Sequence, residues 1–434
     1  MTAESVVMNK TAVALAADSA VTISGGRTAK TYETANKLFE LIKGSNIAAL
    51  IYSNAELNGT PWETVIKEYR RVHCDFRAPH VEDYFDHFTN FLADTEELLA
   101  PDDEEFAVSR IAFQYAAGIR QEIFNRVDEY VSSAGRVFKN RLHEVVVDIC
   151  NHLEKASTAA ADLVAPNPYE PETIHRAVEV QVSAIVEHAL SNVSLESRDL
   201  RRIARIVGRC ITKDLDNITD SGLVIAGFGT NDVFPKYVGK QVIARLNKTL
   251  LMQHPQGVEI TLAQPGYFET FAQDGPAQGW VNGINSEVRA VIASHWITWT
   301  QESLPKTLRK ELSATSGLTA SQAREASKTM TELAKKQLDT FLDHMDEYEQ
   351  KNFRRPMLDS ISLLPKEELG VLAESLVNIT SLKQRMSIFQ ANTVGGAIDV
   401  ALISHGDGFV WLKRKHYFDS ELNPGWSLTH AAKI

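Results

Sequence analysis

Ala12-Val13-Ala14-Leu15-Ala16-Ala17-Asp18-Ser19, followed after a turn by Asn36-Lys37-Leu38-Phe39, decides how this 434-residue sequence is read. The apolar run predicts a strand, and a charge such as Asp18 belongs at the end of that strand or at an edge. Lys37 opens a further apolar strand. Working outward, Val6-Val7-Met8 and Ile47 to Tyr52 are apolar runs of strand length, and Gly25-Gly26 and Gly44-Ser45 supply turns. Roughly the first 60 residues therefore read as β-structure.

From Pro61 the period changes. Leu142, Val145, Val146, Ile149 and Leu153 recur at three- and four-residue steps, as do Leu200, Ile203, Val207 and Ile211, so each set marks one face of a helix. Pro166-Asn167-Pro168 with Pro171 marks a loop between them. Helices are expected to dominate as far as residue 215. β-Structure is expected again at Leu223 to Ala226, Val258 to Leu262, Phe268 to Ala272 and the stretch ending at Gly283. Thr319, with Gln322 three positions on, is a capping box that starts a long charged helix whose apolar stripe includes Met330, Leu333, Leu338, Phe341 and Met345. Pro365 opens another helix, predicted to bury Leu369, Leu372, Leu376 and Ile379. Ile398 to Ser404, the turn Asp407-Gly408 and Phe409 to Leu412 read as a hairpin.

Composition narrows the function. The 45 basic and 56 acidic residues leave a formal charge of −11, which disfavours a nucleic-acid or anionic-membrane surface, and no basic stripe reverses it. Cys74, Cys150 and Cys210 are far apart and form no zinc-ligand spacing, so reduced and mostly buried thiols are expected. No apolar run approaches the roughly 20 residues of a membrane helix. A cytoplasmic protein without metal or cofactor is the expectation.

A threonine hydroxyl is a weak nucleophile, and one way to activate it is a free α-amino group on the same residue. That amine titrates near ~7.7–8 and so accepts a proton at neutral pH. Position 2 is threonine, and a small residue there permits removal of Met1. Such a site also needs a cation to hold the amine's pKa down and a carboxylate to hold the cation. Lys37 and Asp18 are the candidates.

Asp18 stands sixteen positions after Thr2, in Ala16-Ala17-Asp18-Ser19 with Thr22 beyond, and Lys37 stands in Asn36-Lys37-Leu38-Phe39. This set resembles the N-terminal module of proteasome β subunits and HslV-like peptidases, the N-terminal-nucleophile (Ntn) hydrolases. Ile47 to Ala55 resembles the family's strand into its oxyanion-hole turn, with Ser53 where the family has glycine. Ser221 to Phe228 and Gly395-Gly396-Ala397 to Ile403 are similar to later strands of the family.

The resemblance implies an α/β (α+β) fold, a four-layer αββα sandwich of the Ntn-hydrolase and proteasome type. It implies one domain over 1–434, with a discontinuous core at about 2–70, 216–290 and 361–415 and helical insertions at 71–215 and 291–360. It further implies a threonine-type endopeptidase in which Thr2, Asp18, Lys37 and the Ser53 backbone N–H carry catalysis. Val21, Ala35, Ile51 and Ala55 would line an apolar specificity pocket. The implied partners are a polypeptide substrate, other copies in a ring and a separate ATP-dependent unfoldase.

The sequence departs from the family at two places. Gly283-Ile284-Asn285 lacks the serine of the family's Gly-Ser-Gly turn, and Ala391-Asn392-Thr393-Val394 replaces its Asp-x-x-Ser. Asn285, Ser286, Asn392 and Thr393 are the candidate substitutes. A catalytically degenerate scaffold or partner-binding subunit, and a small-molecule amidase or acylase of the same fold, are the alternative readings.

Other motifs read as structure. Gly227-Phe228-Gly229-Thr230-Asn231-Asp232 lacks the third glycine of a dinucleotide fingerprint and reads as a turn. His405-Gly406-Asp407-Gly408 reads as the hairpin turn, and Pro101-Asp102-Asp103-Glu104-Glu105 as a helix start.

Overall fold

The computed structural model describes residues 2–25, 28–96, 98–99, 101–134, 139–215, 220–272, 275–315, 318–386, 394–416, 418, 421–423 and 425. Two antiparallel sheets carry the fold. The first runs Gly266–Ala272, Ala3–Asn9, Ala12–Ala17, Asp399–Ser404, Gly408–Lys413. The second runs Thr249–Met252, Lys236–Leu246, Ser221–Gly227, Ile47–Ser53, Leu38–Glu40, with Gln256–Glu259 also paired to Lys236–Leu246.

Strand side chains alternate between the two faces, so each strand feeds two cores. Val6, Met8, Val13, Leu15 and Ala17 of the first sheet meet Ala48, Leu50, Val224 and Ala226 of the second in a cluster between the sheets. Their neighbours Ala3, Val7, Ala12, Ala14 and Ala16 pack outward against Leu369, Leu376 and Val377 of helix Lys366–Arg385. Ile47, Ala49, Ile51, Leu223 and Ile225 pack outward against Trp62, Ile66 and Phe88, from helices Trp62–Val72 and Val81–Asp94. The order through the molecule is helix, sheet, sheet, helix. Ala12–Ala17 is buried at every position because both of its faces are covered, which explains a continuous apolar run in place of an alternating one. Each large side chain buried in these layers contributes ~1.5–3 kcal/mol.

A further core lies among helices Pro101–Ala134, Lys139–Ala159, Pro171–Ala189 and Ser197–Cys210. There Val145, Val146, Ile149, Ile203, Val207 and Ile211 are buried, and Ile243, Ala244 and Leu251 join this core to the second sheet. The chain is mixed α/β on antiparallel sheets. No helix among the described residues is long and apolar enough to cross a membrane.

Three local expectations are corrected. The residues leading to Gly283 form helix Gly275–Asn282, because Ala277 and Val281 bury one face at a four-residue step. Strand Gln256–Glu259 ends before Leu262, which is 80% exposed. Helix Ala320–Glu349 starts at the Thr319–Gln322 capping box, with Thr319 N–H donating to Gln322 Oε1 at 3.0 Å. Of its expected stripe, however, Leu338 is buried while Met330, Leu333 and Phe341 are exposed.

Candidate active site

The pairing Glu4↔Ala17 brings the start of strand Ala3–Asn9 beside the end of strand Ala12–Ala17. Continued by one pair, this register sets Asp18 opposite Ala3, the residue next to Thr2. Asp18 N–H donates to Ala3 O at 3.2 Å, and Ala3 N–H donates to Asp18 Oδ1 at 3.4 Å. Lys37 comes from the second sheet, just before strand Leu38–Glu40, where its carbonyl accepts from Ile51 N–H at 2.8 Å. Its ammonium crosses between the sheets to pair with Asp18 Oδ1. Ser53 ends strand Ile47–Ser53, and its N–H donates to Thr2 Oγ1 at 2.9 Å.

A fourth side chain completes the group. Glu4 Oε2 accepts the Thr2 hydroxyl at 3.0 Å, and Glu4 Oε1 lies 3.4 Å from Lys37 Nζ. Glu4 thus stands between Thr2 and Lys37, each of which contacts it. Thr2, Glu4, Asp18 and Lys37 are all 3% exposed or less, so two carboxylates share one ammonium away from water. Burial pushes the Glu4 carboxyl up to about 8; the Lys37 charge opposes this and the Asp18 charge adds to it. Glu4 was missed in the sequence. The available signal was its place two residues from Thr2, hence on the same strand face, a face continued by the apolar Val6 and Met8.

The supports of Asp18 and Ser53 come from distant chain. Asp18 Oδ2 accepts from Gly395 N–H at 2.9 Å, and Ser19 Oγ donates to Ala397 O at 2.8 Å. Ala35 N–H donates to Ser19 O at 3.1 Å. Gly396 has φ +78°, and a Cβ there would lie 2.5 Å from Ser19 Oγ. Ser53 has φ +66°, in the left-handed region, and so holds the backbone shape that glycine adopts most easily.

Of the expected pocket residues, Val21, Ala35 and Ala55 are half-buried near the ends of these segments. Ile51 is 2% exposed and lies on the helix-covered face of its sheet, with Ala49 and Leu223. Tyr52 faces the first sheet and stacks on Phe271 at 5.0 Å. Cavities of about 410 and 380 Å³, lined by Pro276, Ile379 and Met386 and by Pro168, Ile174 and Asn247, include none of these residues. Asn285 is used as a helix cap, its Oδ1 accepting from Glu287 N–H at 2.8 Å. Ser286 begins the helix that Asn285 caps. Asn392 and Thr393 lie outside the described residues.

The glycine turn at 227–232 is structural. Asp232 Oδ2 accepts from Gly229 N–H at 2.9 Å and from Val81 N–H at 3.1 Å, tying the turn to helix Val81–Asp94.

Chemically, the group holds one hydroxyl between a carboxylate and a backbone N–H, beside a buried ammonium. No protein-family model matches the chain, and no curated protein matches it. Among solved structures it is similar to the Anbu (Gly-1) mutant from Hyphomicrobium sp. strain MC1, at 10% identity and a TM-score of 0.27, over 100% of this chain and 98% of that one. A likeness at that level carries no argument about activity.

Proposed function

We propose that the chain is a threonine-type Ntn hydrolase that cleaves peptide (amide) bonds, with Thr2 as nucleophile once Met1 is removed. The observation that carries this reading is the linkage of four segments at one buried site: the Ser53 N–H donates to the Thr2 hydroxyl, and Glu4, which accepts that hydroxyl, also contacts Lys37, itself paired with Asp18. The order of helix, sheet, sheet and helix supports an αββα sandwich of that type.

In the proposed reaction Thr2 Oγ attacks the amide carbon while the α-amine takes the hydroxyl proton and passes it to the leaving nitrogen. Lys37, held by Asp18, lowers the amine's pKa by charge repulsion. The Ser53 N–H, 2.9 Å from Thr2 Oγ1, then donates to the oxyanion that forms on the adjacent carbon. One such donor is worth ~3 kcal/mol in the transition state. Water then releases the acyl group. A polypeptide substrate, a ring of identical copies and a separate ATP-dependent unfoldase follow from the sequence resemblance to HslV-like peptidases.

One observation favours the degenerate-scaffold reading: Asn285 is committed to its helix cap, so its amide does not stand in for the serine missing from that turn.

The test is an electrophile that closes a ring onto a threonine bearing a free amine. The wild type is expected to gain its mass on Thr2, Thr2→Ser to react more slowly and Thr2→Ala not to react. Reaction of Thr2→Ala at the wild-type rate would sink the reading.

A further inference from the structure

We propose that Glu4 is a catalytic residue of this site, its Oε2 taking the Thr2 hydroxyl proton directly and handing it to the leaving group. The inference rests on Thr2 as nucleophile and routes the hydroxyl proton through Glu4 in place of the α-amine.

The argument begins with the hydroxyl. The Ser53 N–H donates to Thr2 Oγ1 at 2.9 Å, so that oxygen is an acceptor there and its own proton is left for a second partner. The second partner is Glu4 Oε2 at 3.0 Å. A proton acceptor in general-base catalysis must lie within about 2.6–3.2 Å of the oxygen it serves, and Glu4 does.

The other ionisable groups are engaged elsewhere. Asp18 accepts from Lys37, Ala3 N–H and Gly395 N–H. The Lys37 ammonium is held between Asp18 and Glu4. Glu4 Oε1 is buried 3.4 Å from the Lys37 ammonium, with no second partner among the described residues. That oxygen faces the Lys37 ammonium, so Glu4 is held on one side while its other oxygen addresses the Thr2 hydroxyl. The charged and titratable groups that face Glu4 are Lys37, Asp18 and Tyr52, whose phenol burial pushes up, out of the working range.

The step balances. The Thr2 O–H bond breaks as the Oγ–carbonyl bond forms, the proton moves to Glu4 Oε2, and the carbonyl pair moves onto the oxygen facing the Ser53 N–H. When the tetrahedral species collapses, the carbon–nitrogen bond breaks and the Glu4 proton goes to the departing nitrogen. In the second half Glu4 takes a proton from water and returns one to Thr2 Oγ. Only ionised Glu4 can begin the cycle. Because burial raises its pKa to about 8, reaction should quicken across neutral pH as that proton is lost.

The test is acylation of the full-length protein by an alkyne-tagged β-lactone, whose ring opens onto the nucleophile and needs no second reagent. Rates are followed by intact mass between pH 6 and 9.5, with the adduct located by peptide mapping. The Glu4→Gln variant keeps size and shape, so it should melt as a folded protein yet react roughly 10²–10⁴-fold more slowly, with the wild-type inflection gone. The Glu4→Asp variant should recover part of the rate.

Glu4→Gln reacting within twofold of wild type, with an unmoved pH profile, would overturn the role of Glu4 while leaving Thr2 as nucleophile. A slow Glu4→Gln that keeps the inflection and gains nothing from aspartate would reduce Glu4 to packing. Absence of any wild-type adduct on Thr2 would remove the nucleophile, and Glu4 with it.

Discussion

At the scale of the residue, Ser53 shows how backbone shape and chemistry coincide. Its φ of +66° aims its N–H at Thr2 Oγ1, and a left-handed conformation costs a residue with a Cβ ~1–2 kcal/mol. Ser53→Gly keeps the donor and removes that strain, but glycine also gains entropy in the unfolded chain, so stability should change by under ~1 kcal/mol with labelling of Thr2 retained. Ser53→Pro removes the N–H and forces a negative φ. It should lose Thr2 labelling and ~3 kcal/mol of stability, read by urea denaturation. A Ser53→Pro protein that labels normally would show that this N–H is not the oxyanion donor.

Among the elements, the two loops that follow strands do most of the positioning. Asp18 and Ser19 leave strand Ala12–Ala17 and are held by the backbone of Gly395 and Ala397, just before strand Asp399–Ser404. This contact is close because Gly396 has no side chain: a Cβ there would meet Ser19 Oγ at 2.5 Å and Glu33 Cβ at 2.7 Å, at φ +78°. Gly396→Ala should therefore push the loop away from Asp18, costing ~1–3 kcal/mol in thermal unfolding and slowing reaction at Thr2. Unchanged stability and rate would mean that the loop tolerates a Cβ and that the hold on Asp18 is loose. Gly222 plays the same part for the second sheet, where an added Cβ would strike the Tyr52 ring, which stacks on Phe271.

Across the whole molecule, the buried site should be visible in the pH dependence of unfolding. Glu4 ionises at its ordinary value of 4.5 in the unfolded chain but at about 8 when folded, because burial disfavours the charge. Between those values the folded protein holds a proton that the unfolded chain has released, so stability falls as pH rises. Below 4.5 the group is neutral in both states and contributes nothing; above 8 the penalty is complete. Glu4→Gln has no such proton, so its stability relative to wild type should grow across that window by up to about 1.4 kcal/mol per pH unit. Urea denaturation at pH 5, 6.5 and 8 measures it. A constant difference between the two proteins would place the Glu4 proton elsewhere.

The sequence by itself determined the local elements. The apolar run of Ala12–Ala17, the strand Ile47–Ser53, the capping box at Thr319 and the hairpin from Asp399 to Lys413 were legible, because local periodicity and capping act over a few residues. The stretch leading to Gly283 misled, since its few apolar residues suit a short strand and a single helical turn alike until Ala277 and Val281 find the same core. Thr2, Asp18 and Lys37 could be singled out by residue type and by their resemblance to the N-terminal module of proteasome β subunits. What only the tertiary structure decided was their company: a lone glutamate at position 4 is indistinguishable in sequence from an edge residue facing water. Packing one sheet on the other buries it between a hydroxyl and an ammonium, and burial with charge proximity, both properties of the folded pair of sheets, gives that carboxylate its chemistry.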